Sequence, residues 1–409
     1  MKILIIHQNF PAQFKNLAPE LCSQGHEVTA LIPIQPPTKS WRGVRLVAYS
    51  IKRSNTPGIH PLALDLESKV IRGEACFNAA LEMKRQGYTP SIILAHPGWG
   101  ESIFLKDLWP QADLKLYCEF YYHGSAYDYN FDPEFASSSP LDAGRVHLKN
   151  ANFLLHADRA HSGLTPTNWQ HSTFPQRIRE KLSVIHDGID SDTLQPLRSK
   201  MLKIGNATYH KNDEVITFVS RNLEPYRGFH IFMRSLPYIL RNRPNARVLI
   251  IGSSGVSYGK SPTGHETWKS KMIDEVFPLL DASEKDRIQF AGTLSYSDFI
   301  SALQISMVHV YLTYPFILGW SLLEAMSCGC AIVGSKTPPV EEVISHRRTG
   351  LLVDFFDAKE LAGAILELLD DKLLRAQLSK KARSYVVNKF DLRTICLPRQ
   401  MHWTLTRDS

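Results

Sequence analysis

Several points along this 409-residue chain hold residue types whose spacing could do chemistry. In YPFILGWSLLEAMSCGCAIVGS, residues 314–335, one carboxylate, Glu324, stands in an otherwise apolar strand-to-helix turn. An ionised carboxylate only accepts hydrogen bonds and can take two hydroxyl donors. Near a helix start it is stabilised by the dipole and by exposed N–H groups. Gly319 at that start lets a ligand approach the backbone. In SRNLEPYRG, Arg221 and Arg227 follow the apolar run VITFVS. Two guanidiniums beside a helix N-terminus suit a diphosphate, because each offers paired donors and the helix end adds aligned N–H groups. In ILAHPGWG, His96 follows a further apolar run. Each residue also has a plainer reading. A single arginine is commonly a solvated surface group, a single histidine a satisfied structural one, and packing alone is the plainer reading of Trp99 and Trp320.

These residues gain meaning from the elements that must position them. In the first half, KILIIH, EVTALIP and SIILAH read as strands. FKNLAPELCSQG, closed by Gly25, and GEACFNAALEMKRQG read as helices. LKLYCEFY, ANFLLHA and KLSVIHDGID are further strand candidates. In the second half VITFVSR, ARVLIIGSS, IQFAG, MVHVYLT and CAIVGS read as strands, with FHIFMRSLPYILRNR, YSDFISALQI and GWSLLEAMSCG as helices between them. Strands apolar on both faces belong to parallel sheets covered by helices. The expectation is therefore an α/β chain of two Rossmann-like domains, with the polar residues 190–213 as linker. Such folds bind ligands beyond the carboxyl ends of their strands. The stretches after VITFVS, after RVLIIG (which ends in Gly252) and after VHVYLT fall there.

The combination SRNLEPYRG, GWSLLEAMSCGCAIVGS and PVEEVISHRRTGLLVD resembles the donor half of the family 4 glycosyltransferases, retaining enzymes of the GT-B fold. KLSVIHDGID resembles the end of their first half, and HQNFPAQFKNLAPELCSQGHEVT the start of a subgroup whose first loop lacks the usual paired glycines. The resemblance implies two Rossmann-like domains facing across a cleft. Residues 1–195 would form the acceptor side, 213–385 the nucleotide-sugar donor domain, and 386–409 a segment packing back on the first domain. It implies transfer of a sugar, with retention and without a metal or other cofactor, from a UDP- or GDP-linked sugar to a hydroxyl of a sugar, lipid-linked or small-molecule acceptor. Arg221 matches the family arginine, and Arg227 stands where a lysine is usual; both would contact the diphosphate. Glu324 matches the glutamate that accepts from the ribose hydroxyls. Leu294 sits where the base rests against main chain, Gly252 counts among the donor-binding residues, and Phe316, Ile317, Leu318, Gly319, Trp320 and Ser321 form the matching donor-binding turn. His96 matches a histidine at the donor sugar. One departure stands out: the family's first glutamate of this motif would fall at Phe316. Sugar recognition would then rest on main-chain N–H groups of residues 316–319 or on other side chains.

The bulk numbers set bounds. Hydrophobic residues are 44% and charged residues 21%, a globular profile. Residues 1–199 carry 20 Lys and Arg against 19 Asp and Glu, and residues 200–409 carry 27 against 21. The basic excess of the second half fits an anionic small ligand. Nucleic acid is excluded as a partner by the lack of a dense basic run with interleaved aromatics. KSWRGVRLVAYSIKR carries five basic residues and reads as an exposed strand pair, with a peripheral membrane-facing patch as its rival. The tyrosine-rich FYYHGSAYDYNFD reads as a loop near the acceptor. Six cysteines at unrelated spacings give neither a disulfide framework nor a zinc site and suit a reducing cytoplasm. The apolar run at the N-terminus is too short for a signal peptide. Two rivals follow: a catalytically silent nucleotide-sugar-binding partner protein, favoured by Phe316, and an NAD(P)-dependent oxidoreductase, disfavoured because no G-x-G-x-x-G follows a strand.

Overall fold

The computed structural model describes residues 1–34, 36, 38–124, 127–137 and 139–406. Arg407, Asp408 and Ser409, at the end of the segment expected to pack back, lie outside them. The chain forms two compact units, Met1–Asp187 with Arg393–Ser409, and Gly188–Leu392.

The first unit is an eight-stranded sheet: β1 (Lys2–Ile6), β2 (Glu27–Ile32), β3 (Ser40–Trp41), β4 (Val44–Ala48), β5 (Ile92–Ala95), β6 (Asp113–Tyr117), β7 (Ser162–Thr165) and β8 (Leu182–Val184). Their order is β3-β4-β2-β1-β5-β6-β7-β8, parallel except for β3, which pairs antiparallel with β4. Successive side chains of a strand alternate between faces. Leu4 and Ile6 accordingly join one core with Cys76, Ala80 and Met83 of the helix Leu64–Arg85, while Ile3 and Ile5 join the other with Leu17 and Leu21 of the helix Leu17–Ser23. Met401 and Trp403, from the helix Leu397–Leu405, complete the second core. The run ANFLLHA, expected as a strand, lies inside the helix Pro140–Ala157. Its buried residues Asn152, Phe153 and His156 recur at helical spacing, and Leu155 between them is exposed. The apolar letters of so short a run fit either period.

The second unit has a six-stranded parallel sheet: β11 (Val215–Asn222), β12 (Arg247–Ser253), β13 (Ile288–Gly292), β14 (Val308–Tyr311), β15 (Ala331–Ser335) and β16 (Leu351–Val353), in the order β13-β12-β11-β14-β15-β16. Residues 190–213, expected as linker, instead contain an antiparallel hairpin, β9 (Met201–Ile204) with β10 (Ala207–His210). Leu202 and Tyr209 turn inward against Val215, Leu249 and Ile251. The Arg247 guanidinium lies 3.9 Å over the Tyr209 ring. Each hairpin strand buries few apolar side chains, which left its alternation weak among polar letters. The helix Lys372–Phe390, partly inside the expected C-terminal segment, also belongs to this unit. No described helix is long and apolar enough to cross a membrane.

Candidate donor site

In both sheets the strand order reverses beside the first strand, between β1 and β5 and between β11 and β14. Crevices beyond the carboxyl ends of strands at such points are where ligands bind in this fold class. In the second unit a cavity of about 500 Å³ opens beyond the carboxyl ends of β11, β12 and β13, lined by residues that include Arg221, Asn222, Gly252, Leu294, Tyr296 and Phe299. Gly252 makes room for it: its φ is +155°, and a Cβ would meet the Ser220 carbonyl oxygen at 2.5 Å. Arg221 is exposed at the cavity.

Arg227 has a different setting. It ends the short 3-10 turn Pro225–Arg227 and is 8% exposed. One guanidinium nitrogen, Nη1, donates to Tyr311 Oη at 3.2 Å, Thr313 Oγ1 at 2.8 Å and the Ile317 carbonyl at 3.0 Å. Burial works against its charge, yet Tyr311, Tyr258 and Glu224 more than offset this and raise its pKa. The next residue, Gly228, has φ +68°, and a Cβ there would sit 2.4 Å from the Leu312 side chain. That close approach brings the turn onto the end of β14. The two arginines therefore share a loop and differ in exposure and partners.

Glu224, unnoticed between them in the sequence, is fully buried. Its carboxylate accepts from the backbone N–H groups of Ser257, Tyr258 and Gly259 at 3.0–3.1 Å. It thereby ties the loop after β12 to the loop after β11. A carboxylate three residues after an arginine at a strand end was the available signal.

The strand before the Glu324 motif, β14, ends at Tyr311, two residues short of the run MVHVYLT read as a strand. The turn that follows is organised by aromatic rings and backbone bonds. Phe316 is 3% exposed, with its ring 5.0 Å from Tyr258 and 5.6 Å from Tyr226. The expected row of N–H donors at 316–319 is only half available. Phe316 N donates to the Tyr314 carbonyl and Gly319 N to Tyr311 Oη, each at 2.6 Å. Among the described residues, the N–H groups of Ile317 and Leu318 find no acceptor. Gly319 caps the helix Trp320–Ser327, whose first-turn N–H groups lack partners within the helix. Trp320 and Ser321 are half-buried at its start.

Glu324 is the fifth residue of that helix and 6% exposed. Its Oε1 accepts from the phenol of Tyr296 at 2.9 Å. Burial and the Glu324 charge hold that phenol protonated, well above its ordinary pKa. Tyr296 begins the helix Tyr296–Ile305, whose N-cap Ser295 accepts from Asp298 N. The Ser-x-x-Asp spacing marks this start in the sequence, but the tyrosine inside it carried no motif.

His96 belongs to the first unit, just beyond β5. Its Nδ1 accepts from Gly98 N at 3.1 Å, so the neutral ring carries its proton on Nε2. Nε2 has the Glu119 carboxylate 3.8 Å away, beyond hydrogen-bond range. His7, at the end of β1, repeats this arrangement, with Nδ1 accepting from Asn9 N at 2.9 Å. The two rings are 5.2 Å apart, and Trp99 packs against both. Burial, then the neighbouring His96, lowers the pKa of His7 to about 3. Tyr121 and Tyr127 of the tyrosine-rich loop pack on Phe153 and Trp169 respectively. The basic segment 39–53 includes the β3–β4 pair, with all five of its cations exposed.

Residues 24–194 match the family model for the glycosyl transferase family 4 group, and residues 203–385 that for glycosyl transferases group 1. Among curated relatives, a GDP-mannose-dependent monoacylated alpha-(1-6)-phosphatidylinositol monomannoside mannosyltransferase of Corynebacterium glutamicum is 25% identical over 171 residues, 40% of either chain. Spore coat protein SA of Bacillus subtilis is 26% identical over 227 residues, 54% of this chain and 57% of the relative. The chain thus spans about half the length of these relatives. Among solved structures, Anabaena HepE in complex with UDP-glucose superposes with a TM-score of 0.68 at 15% identity, covering 99% of both chains. Sucrose-phosphate synthase from Thermosynechococcus elongatus gives 0.72 at 16%, covering 98% of both. These two are alike in fold. With two adjoining models matched and two α/β units in place, the chain belongs to the family 4 glycosyltransferases of the GT-B fold.

Proposed function

We propose that this protein transfers a sugar from a nucleotide-diphosphate sugar to an acceptor hydroxyl, with retention at the anomeric carbon and without a metal. The observation that carries the reading is the cavity at the ends of β11, β12 and β13, with Arg221 exposed at it and Tyr296 linking it to buried Glu324. In this reading the nucleoside lies against Leu294 and Gly252, and Glu324 takes a ribose hydroxyl. Arg221 and the open N–H groups of Ile317 and Leu318 hold the diphosphate. Arg227 shapes the turn that presents those N–H groups and adds its charge.

Transfer then proceeds by departure of the diphosphate as these donors stabilise its growing charge. The acceptor hydroxyl attacks from the same face, and a phosphate oxygen takes its proton, so no enzyme nucleophile is required. His96, with its proton on Nε2, would serve the donor sugar as a hydrogen-bond donor rather than as a base. Metal independence is supported by the sequence: its one Asp-x-Asp pattern is at Asp190–Asp192, and Asp190 there accepts from Thr193 within its own turn.

Phe316 supports a second reading, a nucleotide-sugar-binding protein without transfer, because an apolar ring buried among aromatics stands where the family's first glutamate is expected. UDP-glucose and GDP-mannose, ligands named for HepE and for the C. glutamicum relative, are the first donors to test. Release of the nucleotide diphosphate, with a sugar-bearing product from an acceptor panel, separates the readings. Binding of nucleotide sugars with no product and no donor hydrolysis selects the second. Failure of either nucleotide to shift the melting temperature at 100-fold the usual dissociation constant, where about 2.7 kcal/mol is expected, rejects both.

A further inference from the structure

Residues 254–267, after β12, contain neither helix nor strand. A loop of that length inside a compact unit is uncommon and usually functional. Here three successive N–H groups converge on one buried carboxylate. Glu224 Oε1 accepts from Ser257 N, and Oε2 accepts from both Tyr258 N and Gly259 N. Successive N–H groups of this kind form an anion site, and the protein supplies the anion itself. Asn222, which lines the donor cavity, adds a side-chain bond to Ser257. The loop is thus fastened to the stretch that carries Arg221 and Arg227.

What this fastening places is the Tyr258 ring. The Arg227 guanidinium carbon sits over it, 5.4 Å from its centroid, and the Phe316 ring packs against it edge-on, 5.0 Å away. The oxygens of Tyr311, Thr313 and Ile317 that hold Arg227 all meet one nitrogen, Nη1. Bonds to one nitrogen fix its position and not the tilt of the guanidinium plane. An aromatic face against that plane sets the tilt, and cation–π attraction adds to the hold. We propose that Glu224 is a positioning residue for the donor diphosphate: by holding the Ser257–Gly259 backbone it sets Tyr258 against Arg227 and so orients that guanidinium for the anion. This rests on the donor-site reading above, in which Arg227 adds its charge to the diphosphate site. Charge and position predict opposite signs for Glu224. A carboxylate near an anionic ligand repels it, so losing the charge alone would strengthen diphosphate binding. Losing the position weakens it.

The test uses the full chain, titrated calorimetrically with UDP, GDP, uridine and guanosine and without any acceptor. In Glu224→Gln an amide brings an NH2 donor where N–H groups need an acceptor, so the loop loses part of its hold. For the base that binds, the variant should lose about fivefold in affinity for the diphosphate, the scale of one hydrogen bond, and keep its affinity for the nucleoside. Tyr258→Ala should lose the same, and the double variant no more than either single one, because residues acting in one chain of contacts are not additive. A merely structural role would lower the melting temperature and leave the ratio of diphosphate to nucleoside affinity as in the wild type. That ratio unchanged or raised in Glu224→Gln overturns the proposal, as do losses that add in the double variant. Should Glu224→Gln fail to fold, Tyr258→Ala decides alone, and a wild-type ratio there overturns the proposal. If Arg227→Ala loses the preference for the diphosphate while Glu224→Gln and Tyr258→Ala keep it, the donor-site reading stands and this proposal falls. If no probe binds the wild type, or if it binds nucleoside and diphosphate alike, the donor-site reading falls, and this proposal with it.

Discussion

The two units place chemistry at the same topological point by opposite means. Beyond β11 and β14, buried polar groups are paired within the protein: Glu224 with three backbone N–H groups, Arg227 with three oxygens, Glu324 with a phenol. Their pairing ties together the loops and the turn after these strands, while Arg221 stays exposed at the cavity beyond β11, β12 and β13. Beyond β1 and β5, two imidazoles are enclosed with Trp99, each with its Nδ1 held by a backbone N–H two residues on. One crevice is rigid because its charges are satisfied. The other is held by ring packing around two buried histidines. The first unit also needs the end of the chain, whereas the second is continuous in sequence.

That last contrast gives the largest expected effect. The Lys115 ammonium is 1% exposed, and it donates to the carbonyls of Trp403 at 2.9 Å and Thr406 at 2.8 Å. A chain ending at Leu392 loses these acceptors and the buried Met401 and Trp403 side chains. Two large side chains at about 1.5–3 kcal/mol each, with a buried ammonium stripped of acceptors at about 1.5–3 kcal/mol, approach the whole stability of a domain. The first unit should unfold while the second still melts cooperatively, followed by amide hydrogen exchange resolved along the chain. Full protection of β1, β5 and β6 in the truncated chain would show that the terminal helix is dispensable.

Acid should separate the units next. Burial lowers His7 to about 3 and His156 and His186 to about 4 in the first unit, and His309 to about 3 in the second. An unfolded chain protonates these rings below their ordinary value of about 6.5 while the folded one does not. The unfolded state then binds more protons, so stability is complete above that value and falls as pH drops toward 4 or 3. At pH 5 each ring costs about 2 kcal/mol. Three rings against one make the first unit the more acid-labile. Glu101, whose carboxyl burial pushes upward, acts in the opposite sense and offsets part of the loss. Exchange rates at pH 7 and 5, corrected for intrinsic chemistry, should show the larger loss of protection in the first unit. Equal losses break the contrast.

How far the sequence carries this picture differs between the units for the same physical reason. Parallel strands buried on both faces announce themselves as apolar runs, so VITFVSR, ARVLIIGSS and CAIVGS are legible without a structure. The hairpin at residues 201–210 buries little and hid among polar letters, and ANFLLHA was too short to reveal its period. At the site, Arg221, Gly252 and Glu324 stand out by type and by place after a strand, and Leu294 by the family resemblance alone. Glu224 and Tyr296 do not, because what sets them apart is a partner on another loop or helix, 28 to 35 residues away.

Within the second unit, the same contrast can be sharpened between Arg227 and its neighbours. Arg227→Ala leaves Tyr311, Thr313 and the Ile317 carbonyl without their common donor in a buried setting. Lost charge-assisted bonds of about 1.5–3 kcal/mol each, only partly additive, suggest a loss near 3 kcal/mol. For a unit of this size that lowers the melting temperature by about 6–12 °C. Arg227→Lys should recover part of it, since a single ammonium cannot reproduce the planar fork. An unchanged melting temperature in the alanine variant would mean that the turn holds itself.

Arg221→Ala should show the smallest effect on the fold and an effect confined to the ligand. The side chain is exposed and makes no ion pair among the described residues, so its removal should change stability by less than about 0.5 kcal/mol. One charge-assisted bond to a diphosphate is worth about 1.5 kcal/mol at the lower end, roughly tenfold in affinity. The nucleoside has no phosphate for Arg221 to meet, so its weaker binding should be the same in wild type and variant. The nucleotide diphosphate should lose the tenfold, and raising the salt should shrink the difference, because an exposed guanidinium is screened. Equal losses for nucleoside and diphosphate would place Arg221 beside the base instead. No loss for either would leave the diphosphate to the N–H groups of Ile317 and Leu318 and to Arg227, making the buried arginine, not the exposed one, the anion's principal charge partner.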